Sequence, residues 1–120
     1  MKLADLVGKF AIKGINQDRE QTTYKGVLEL ELNTNNKINA FWTIGQNQTQ
    51  KGTGFFKDDI LVVNFNYKGE DEQIFKGVVV YRWLNRNIIK GFWSEKYGDQ
   101  SMLGEENGVR INPFEEFSAN

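Results

Sequence analysis

The sequence predicts an all-β fold: one eight-stranded antiparallel up-and-down barrel built from two repeated four-strand halves, with short helical turns at its ends. Three observations lead to this prediction. Apolar and polar residues alternate over most of the chain, short turn signals separate eight such segments, and the second half resembles the first. A length of 120 residues is enough for one core and too short for two, so residues 1–120 are expected to form a single domain.

The predicted strands cover residues 8–15, 22–32, 37–46, 49–57, 60–67, 74–83, 88–96 and 100–111. From Tyr24 to Leu32 the even positions are apolar or small and most odd positions are charged, as in a strand with one buried face. The turn residues Asn33-Thr34-Asn35-Asn36 follow, and alternation then resumes, so these two segments are predicted to form a hairpin.

Both ends of the chain carry short helical signals. Leu3, Leu6 and Val7 have helical spacing and predict one turn before the first strand. After the last strand, Asn112-Pro113-Phe114-Glu115 combines a capping residue, a proline at the first helical position and an acid in the first turn.

An internal repeat organises the strands. Sliding the chain by 51 positions superimposes residues 24–42 on residues 75–93, and seven of these 19 positions are identical, with Trp42 falling on Trp93. This offset predicts two four-stranded halves with both tryptophans on the inner face. A meander of eight strands exposes two edges unless the sheet closes, so we predict a barrel.

The composition excludes several kinds of chemistry. The chain has no cysteine and no histidine, which rules out thiolate metal sites, Cys nucleophiles and Ser/His/Asp catalysis, and we predict neither a metal nor a cofactor. A net charge of −1 with scattered basic residues makes nucleic acid an unexpected partner. Asp5 interrupts the apolar N-terminus, and no apolar run is long enough for a membrane span, so a cytoplasmic chain is expected.

The inner face is unusually rich in aromatic residues with polar tips. An eight-stranded barrel is just wide enough to be filled by side chains or to hold one small ligand, and both possibilities stay open at this point. Buried indole and phenol groups need hydrogen-bond partners, which favours a ligand site over a dry core. The predicted ligand-binding residues are Tyr24, Trp42, Tyr67, Tyr81, Trp83, Trp93 and Glu106.

Glu106 is the inner-face acid in this set. A carboxyl group in an aromatic cavity can have a raised pKa and act as a general base. We favour a structural role, in which Glu106 lies at the open rim or is neutralised by Arg110, because a buried charge is usually paired.

Gly8-Lys9-Phe10 opens the first predicted strand, and Arg110 lies on the last one. Together with the eight-stranded meander and the short N-terminal turn, these residues resemble the calycin superfamily, which includes lipocalins, fatty-acid-binding proteins and avidins. In those families a Gly-x-Trp opens the first strand, and an Arg from the last strand packs across that Trp. Here Gly8-Lys9-Phe10 and Arg110 occupy these places, with Phe10 standing where the families have Trp. The resemblance implies that Phe10 and Arg110 close the barrel, whereas it transfers neither biotin nor fatty acid as a ligand.

The function predicted from these features is binding of a small apolar or aromatic molecule in the barrel interior, without catalysis. An alternative is a protein-interaction or inhibitor module that uses the outward Phe41 and Phe92 together with the loops, and this reading includes assembly into a homo-oligomer. A third reading is a calycin-type isomerase or hydrolase that uses Glu106 and a tyrosine.

Overall fold

The computed structural model describes residues 1–112 and contains a closed barrel of eight antiparallel strands in sequential order. The strands are β1 (Gly8–Ile15), β2 (Thr23–Leu32), β3 (Ile38–Ile44), β4 (Gln48–Lys57), β5 (Ile60–Lys68), β6 (Ile74–Trp83), β7 (Ile88–Glu95) and β8 (Gly104–Arg110). A single 3-10 turn, Leu3–Leu6, precedes β1. The predicted barrel and its N-terminal turn are confirmed, and the second predicted turn, at Pro113-Phe114-Glu115, lies outside the described residues.

The barrel closes between its first and last strands. Phe10 on β1 faces Leu28 on one side and Arg110 on the other, and β1 pairs antiparallel with both β2 and β8. Because every strand has two hydrogen-bonded neighbours, the sheet has no free edge.

Inward side chains form a continuous core along the barrel. They alternate with exposed residues as the sequence predicts, for example through β1 and β8. The buried hydrophobic residues are Leu6, Phe10, Ile12, Leu28, Leu30, Ile38, Ala40, Trp42, Leu61, Val63, Phe65, Val79, Tyr81, Trp83 and Ile89. Among residues 1–112, no helix has the length and apolarity that crossing a membrane requires.

The last strand begins later than predicted, at Gly104 rather than at residue 100. The backbone N–H of Ser101 donates to Asp99 Oδ1 at 2.9 Å, and that of Met102 donates to the Asp99 carbonyl at 3.0 Å. These local bonds give the backbone an alternative to strand pairing, so the connection between β7 and β8 extends through residue 103.

The two halves of the chain have the same strand register in one hairpin, and their other strand registers differ. Leu28 faces Trp42 across β2 and β3, and Val79 faces Trp93 across β6 and β7, so these two registers are related by the repeat offset. The register of β1 with β2 does not recur in the second half. Phe10 faces Leu28, and the repeat offset carries these two residues onto Leu61 and Val79. Leu61 faces Tyr81 instead. Duplication therefore stays a prediction, supported by the shared hairpin.

Candidate functional site

A cavity of about 130 Å³ lies at the end of the barrel that carries the β1–β2 and β7–β8 connections. Seven of the eight strands contribute to its wall, together with the residue that follows β1. Its lining residues are Asn16, Tyr24, Trp42, Ile44, Gln48, Gln50, Phe65, Tyr67, Val79, Tyr81, Trp93, Glu95 and Glu106.

Glu106 lies at the base of this cavity and is 4% exposed. Its cross-strand neighbours are both glycines, Gly14 on β1 and Gly91 on β7. A Cβ at Gly14 would lie 2.3 Å from the Tyr24 hydroxyl oxygen, and one at Gly91 would lie 2.7 Å from a ring carbon of Tyr81. The two glycines therefore leave the room that both tyrosines need to reach the carboxyl group.

Three side chains donate hydrogen bonds to Glu106. The Tyr24 hydroxyl donates to Oε1 at 2.7 Å, the Trp42 indole N–H donates to Oε2 at 3.2 Å, and the Tyr81 hydroxyl also donates to Oε2. A second layer supports them, because Trp42 Nε1 lies 3.0 Å from the Tyr81 hydroxyl oxygen and Trp93 Nε1 donates to the Tyr24 hydroxyl at 3.0 Å. This arrangement suits an ionised carboxylate, which only accepts hydrogen bonds.

Burial governs the protonation of this cluster. It raises the pKa of Glu106, while the hydrogen bonds from Tyr81, Tyr24 and Trp42 act in the opposite direction. Burial also raises the pKa values of Tyr24 and Tyr81, with a further contribution from the Glu106 charge. Both hydroxyls therefore stay protonated at physiological pH and act as donors.

A second acid stands in the cavity wall near its mouth. Glu95, the last residue of β7, accepts a hydrogen bond from the Tyr67 hydroxyl. The pKa of Tyr67 is raised, first by burial and then by this bond. The backbone N–H of Glu95 donates to Gln17 Oε1 at 3.0 Å, and Gln17 Nε2 donates to the Asp99 carbonyl at 2.8 Å, so the two neighbouring connections hold the end of β7.

Aromatic rings make up much of the remaining wall. Phe65 is in edge contact with Trp42 and Trp93, at centroid separations of 6.1 and 6.3 Å, and stacks on Tyr67 at 6.5 Å. Such contacts fix the orientations of the rings in the wall.

The structure places six of the seven predicted ligand-binding residues around this one cavity: Tyr24, Trp42, Tyr67, Tyr81, Trp93 and Glu106. Trp83 lies apart from it, in edge contact with Phe10, Phe56 and Tyr81 at separations of 5.9, 5.8 and 6.5 Å. Alternation along β6 shows which face a residue occupies but not how far along the barrel it lies.

The expectation that Glu106 lies at the rim or is neutralised by Arg110 is wrong. Glu106 is buried, and its partners are two hydroxyls and an indole. Arg110 lies four residues further along β8, which corresponds to about 13 Å of extended strand. Its guanidinium donates to the backbone carbonyls of Val7, Asp5 and Arg86, at 2.7, 2.6 and 3.1 Å.

Phe10 and Arg110 meet at the opposite end of the barrel. The guanidinium carbon of Arg110 lies 4.6 Å from the centroid of the Phe10 ring, which is fully buried. Gly8 makes this possible, because a Cβ at that position would lie 2.6 Å from the guanidinium. This end of the barrel is covered, and the cavity opens at the other one.

Sequence reasoning missed several polar residues of the wall. Glu95 continues the inward phase of Ile89 and Trp93 on β7, and Gln48 and Gln50 continue the inward phase of Gly52 on β4, so alternation alone would have identified all three. Asn16 carried no such signal, because it follows the end of β1. Within residues 1–112, no group of three or more acidic side chains is placed to hold a metal ion.

The fold and the cavity define a class of protein: closed eight-stranded barrels with an internal cavity at one end. A redesigned β-barrel, b11L5F_LGL, has a similar structure, with a TM-score of 0.71 and 16% identity over 92% of this chain and 95% of that one. A second redesigned barrel, mFAP1, solved bound to DFHBI, gives a TM-score of 0.69 and 17% identity over 91% and 97% of the two chains.

A natural protein of unknown function is also similar in structure. It belongs to the DUF3598 family and comes from Nostoc punctiforme, with a TM-score of 0.56 and 11% identity over 92% of this chain and 49% of that one. The sequence matches no protein-family model and no curated protein. At these identities the likeness establishes the barrel fold.

Proposed function

We propose that this protein binds a small aromatic molecule in the cavity above Glu106. The observation that carries the proposal is the convergence of two tryptophans, three tyrosines and one buried carboxyl group on a single space at the end of the barrel. A binding pocket typically combines apolar walls with a few oriented polar groups, and this cavity has both.

The size of the cavity limits the ligand. A volume of about 130 Å³ is close to the roughly 150 Å³ of an apolar cavity that takes up benzene, and it is below the range of pockets for drug-sized molecules. The proposed ligand therefore carries one aromatic ring with a small substituent.

Barrels of the same fold bind small molecules. The redesigned barrels mFAP1 and mFAP0 were both solved bound to DFHBI, a small aromatic dye. An eight-stranded barrel of this length can therefore accommodate an aromatic molecule without a second domain.

Tryptophan fluorescence tests the proposal, because two of the three tryptophans line the cavity and Trp83 does not. Titration with benzyl alcohol should change the emission of the wild-type protein saturably. Trp83→Phe should keep this response, and Trp93→Phe should lose a large part of it. Absence of a saturable response, or a response that disappears in Trp83→Phe and persists in Trp93→Phe, would overturn the proposal.

A second candidate function is protein interaction through the outer face. Phe55, Val62, Val80 and Phe92 face one another successively across β4 to β7, forming an apolar row in which the two phenylalanines are 64% and 50% exposed. This row includes Phe92, whereas Phe41 lies outside it on β3. Native mass spectrometry discriminates the two candidates, since a retained small molecule supports the cavity and a defined oligomer supports the outer face.

A further inference from the structure

The cavity contains two carboxyl groups that no basic side chain in its described wall pairs with. Glu106 and Glu95 both line it, and among the described lining residues none is a lysine or an arginine. The partners of Glu106 are neutral donors, which stabilise a carboxylate without neutralising it. An uncompensated buried charge is unfavourable, and a positively charged ligand would offset that cost.

The acceptor sites of Glu106 also leave a place for a donor. A carboxylate has about four lone-pair sites on two oxygens. Within the described chain, Oε2 accepts from Tyr81 and Trp42, whereas Oε1 accepts from Tyr24. Oε1 therefore has acceptor capacity for one further donor beyond the hydrogen bonds already made.

The aromatic wall suits the same kind of ligand. Trp42, Trp93, Phe65 and Tyr67 all line the space, and the electron-rich face of such rings attracts a cation that comes within about 6 Å of the ring centroid. Aromatic faces around an acid favour ammonium groups over neutral molecules of equal size.

We propose that the cavity selects a small organic cation, namely a primary amine carried on one aromatic ring, whose ammonium group donates to Glu106. This inference rests on the proposed binding function and adds the charge class of the ligand. The ring lies among the aromatic side chains, and the ammonium group points to the base of the cavity.

Three single-ring probes of similar size test the charge preference: benzylamine, benzyl alcohol and benzoate, titrated by isothermal calorimetry near neutral pH. Benzylamine should bind more tightly than benzyl alcohol by about tenfold or more, and benzoate should bind most weakly. Glu106→Gln should remove the preference for benzylamine while benzyl alcohol still binds.

Glu105→Gln is the matched control. Glu105 is the neighbouring residue on β8, its side chain is exposed on the outer face, and its substitution changes the net charge by the same amount. The preference for benzylamine should persist in this variant. Persistence of the preference in Glu106→Gln as well would overturn the assignment to Glu106.

The outcomes separate this inference from the proposed function. If no probe binds, the cavity is not a ligand site and both proposals fail. If benzyl alcohol binds as tightly as benzylamine to the wild-type protein, the cation preference is overturned and the binding function stands.

The pH dependence of the wild-type protein provides a test that needs no variant. The titratable groups in the cavity are Glu106, Glu95, Tyr24, Tyr67 and Tyr81, and the tyrosines stay neutral over the range used. The affinity for benzylamine should fall as the pH is lowered and Glu106 takes up a proton, and the affinity for benzyl alcohol should stay constant. Glu95→Gln should retain this fall, and a preference that does not weaken in acid would overturn the proposal.

Discussion

The two ends of the barrel hold an arginine and a glutamate side chain in different ways. At the end near the N-terminal turn, the guanidinium of Arg110 donates to three backbone carbonyls and covers the Phe10 ring. At the cavity end, Glu106 accepts hydrogen bonds from the side chains of Tyr24, Tyr81 and Trp42. Backbone carbonyls are fixed by the chain around them, whereas side-chain donors can reorient when a ligand enters.

The tryptophans show the same difference. Trp42 and Trp93, at the cavity end, both use their indole N–H in hydrogen bonds. At the other end, Trp83 is buried among aromatic rings, and its N–H has no hydrogen-bond partner within the described chain. Side-chain packing therefore dominates at the covered end, and hydrogen bonding dominates at the cavity end. We expect stability to depend mainly on the covered end and ligand binding mainly on the cavity end.

The largest expected effect is the loss of stability in Phe10→Ala. Phe10 is fully buried, so its truncation should lower the free energy of unfolding by about 3–5 kcal/mol. Trp93→Ala should cost less despite removing a larger ring, because Trp93 is half-buried and borders an existing cavity. Chemical denaturation of the two variants measures the difference, and equal losses would show that the cavity end is packed as tightly as the covered end.

A smaller effect is expected for Arg110→Lys. The substitution keeps the charge but removes the planar fork that reaches three carbonyls and covers Phe10, so we expect a loss of about 1–3 kcal/mol. Ligand affinity at the other end should not change. Arg86→Lys is the control, because its ion pair with Asp5 is exposed and contributes little. A loss confined to ligand affinity would contradict the division of roles between the ends.

The sequence predicted the barrel, the inward face of the Trp and Tyr residues named as candidate ligand contacts, and six of the thirteen residues of the cavity wall. These follow from alternation, which depends only on the twofold period of a strand. It did not predict depth along the barrel, so Trp83 was grouped with Trp42 and Trp93, and Glu106 was paired with Arg110. The distances between these residues depend on the register between strands, which the pattern of a single strand does not contain.

The partners of Glu106 illustrate this limit. Tyr24 and Tyr81 reach it from β2 and β6 across the glycines that flank it on β1 and β7. Both glycines are visible in the sequence, and Gly91 has the inward phase of its strand. Their purpose becomes clear only when the register places each of them directly opposite Glu106.

The smallest expected effect is a change in the pH dependence of stability in Glu106→Gln. Burial raises the pKa of Glu106 in the folded protein above its ordinary value of 4.5, so the folded chain holds this proton more tightly than the unfolded chain does. Well below pH 4.5 the group is protonated in both states and contributes no pH dependence. As the pH rises past that value the unfolded chain ionises first, so stability falls until the folded group has ionised as well.

The Glu106→Gln variant should lack this fall, so its stability relative to the wild-type protein should improve as the pH rises from acid to neutral. The effect is smaller than that of Arg110→Lys because three hydrogen bonds to the carboxylate oppose the cost of burial. Thermal denaturation of both proteins across this pH range measures the difference in stability. Asp5, Asp18 and Asp99 also have lowered pKa values, but they are present in both proteins, so their effect cancels in this difference. Glu105→Gln should follow the wild-type curve. If the wild-type protein instead gained stability over Glu106→Gln as the pH rose, the hydrogen bonds would outweigh burial, and the cavity end would hold its charge as firmly as the covered end does.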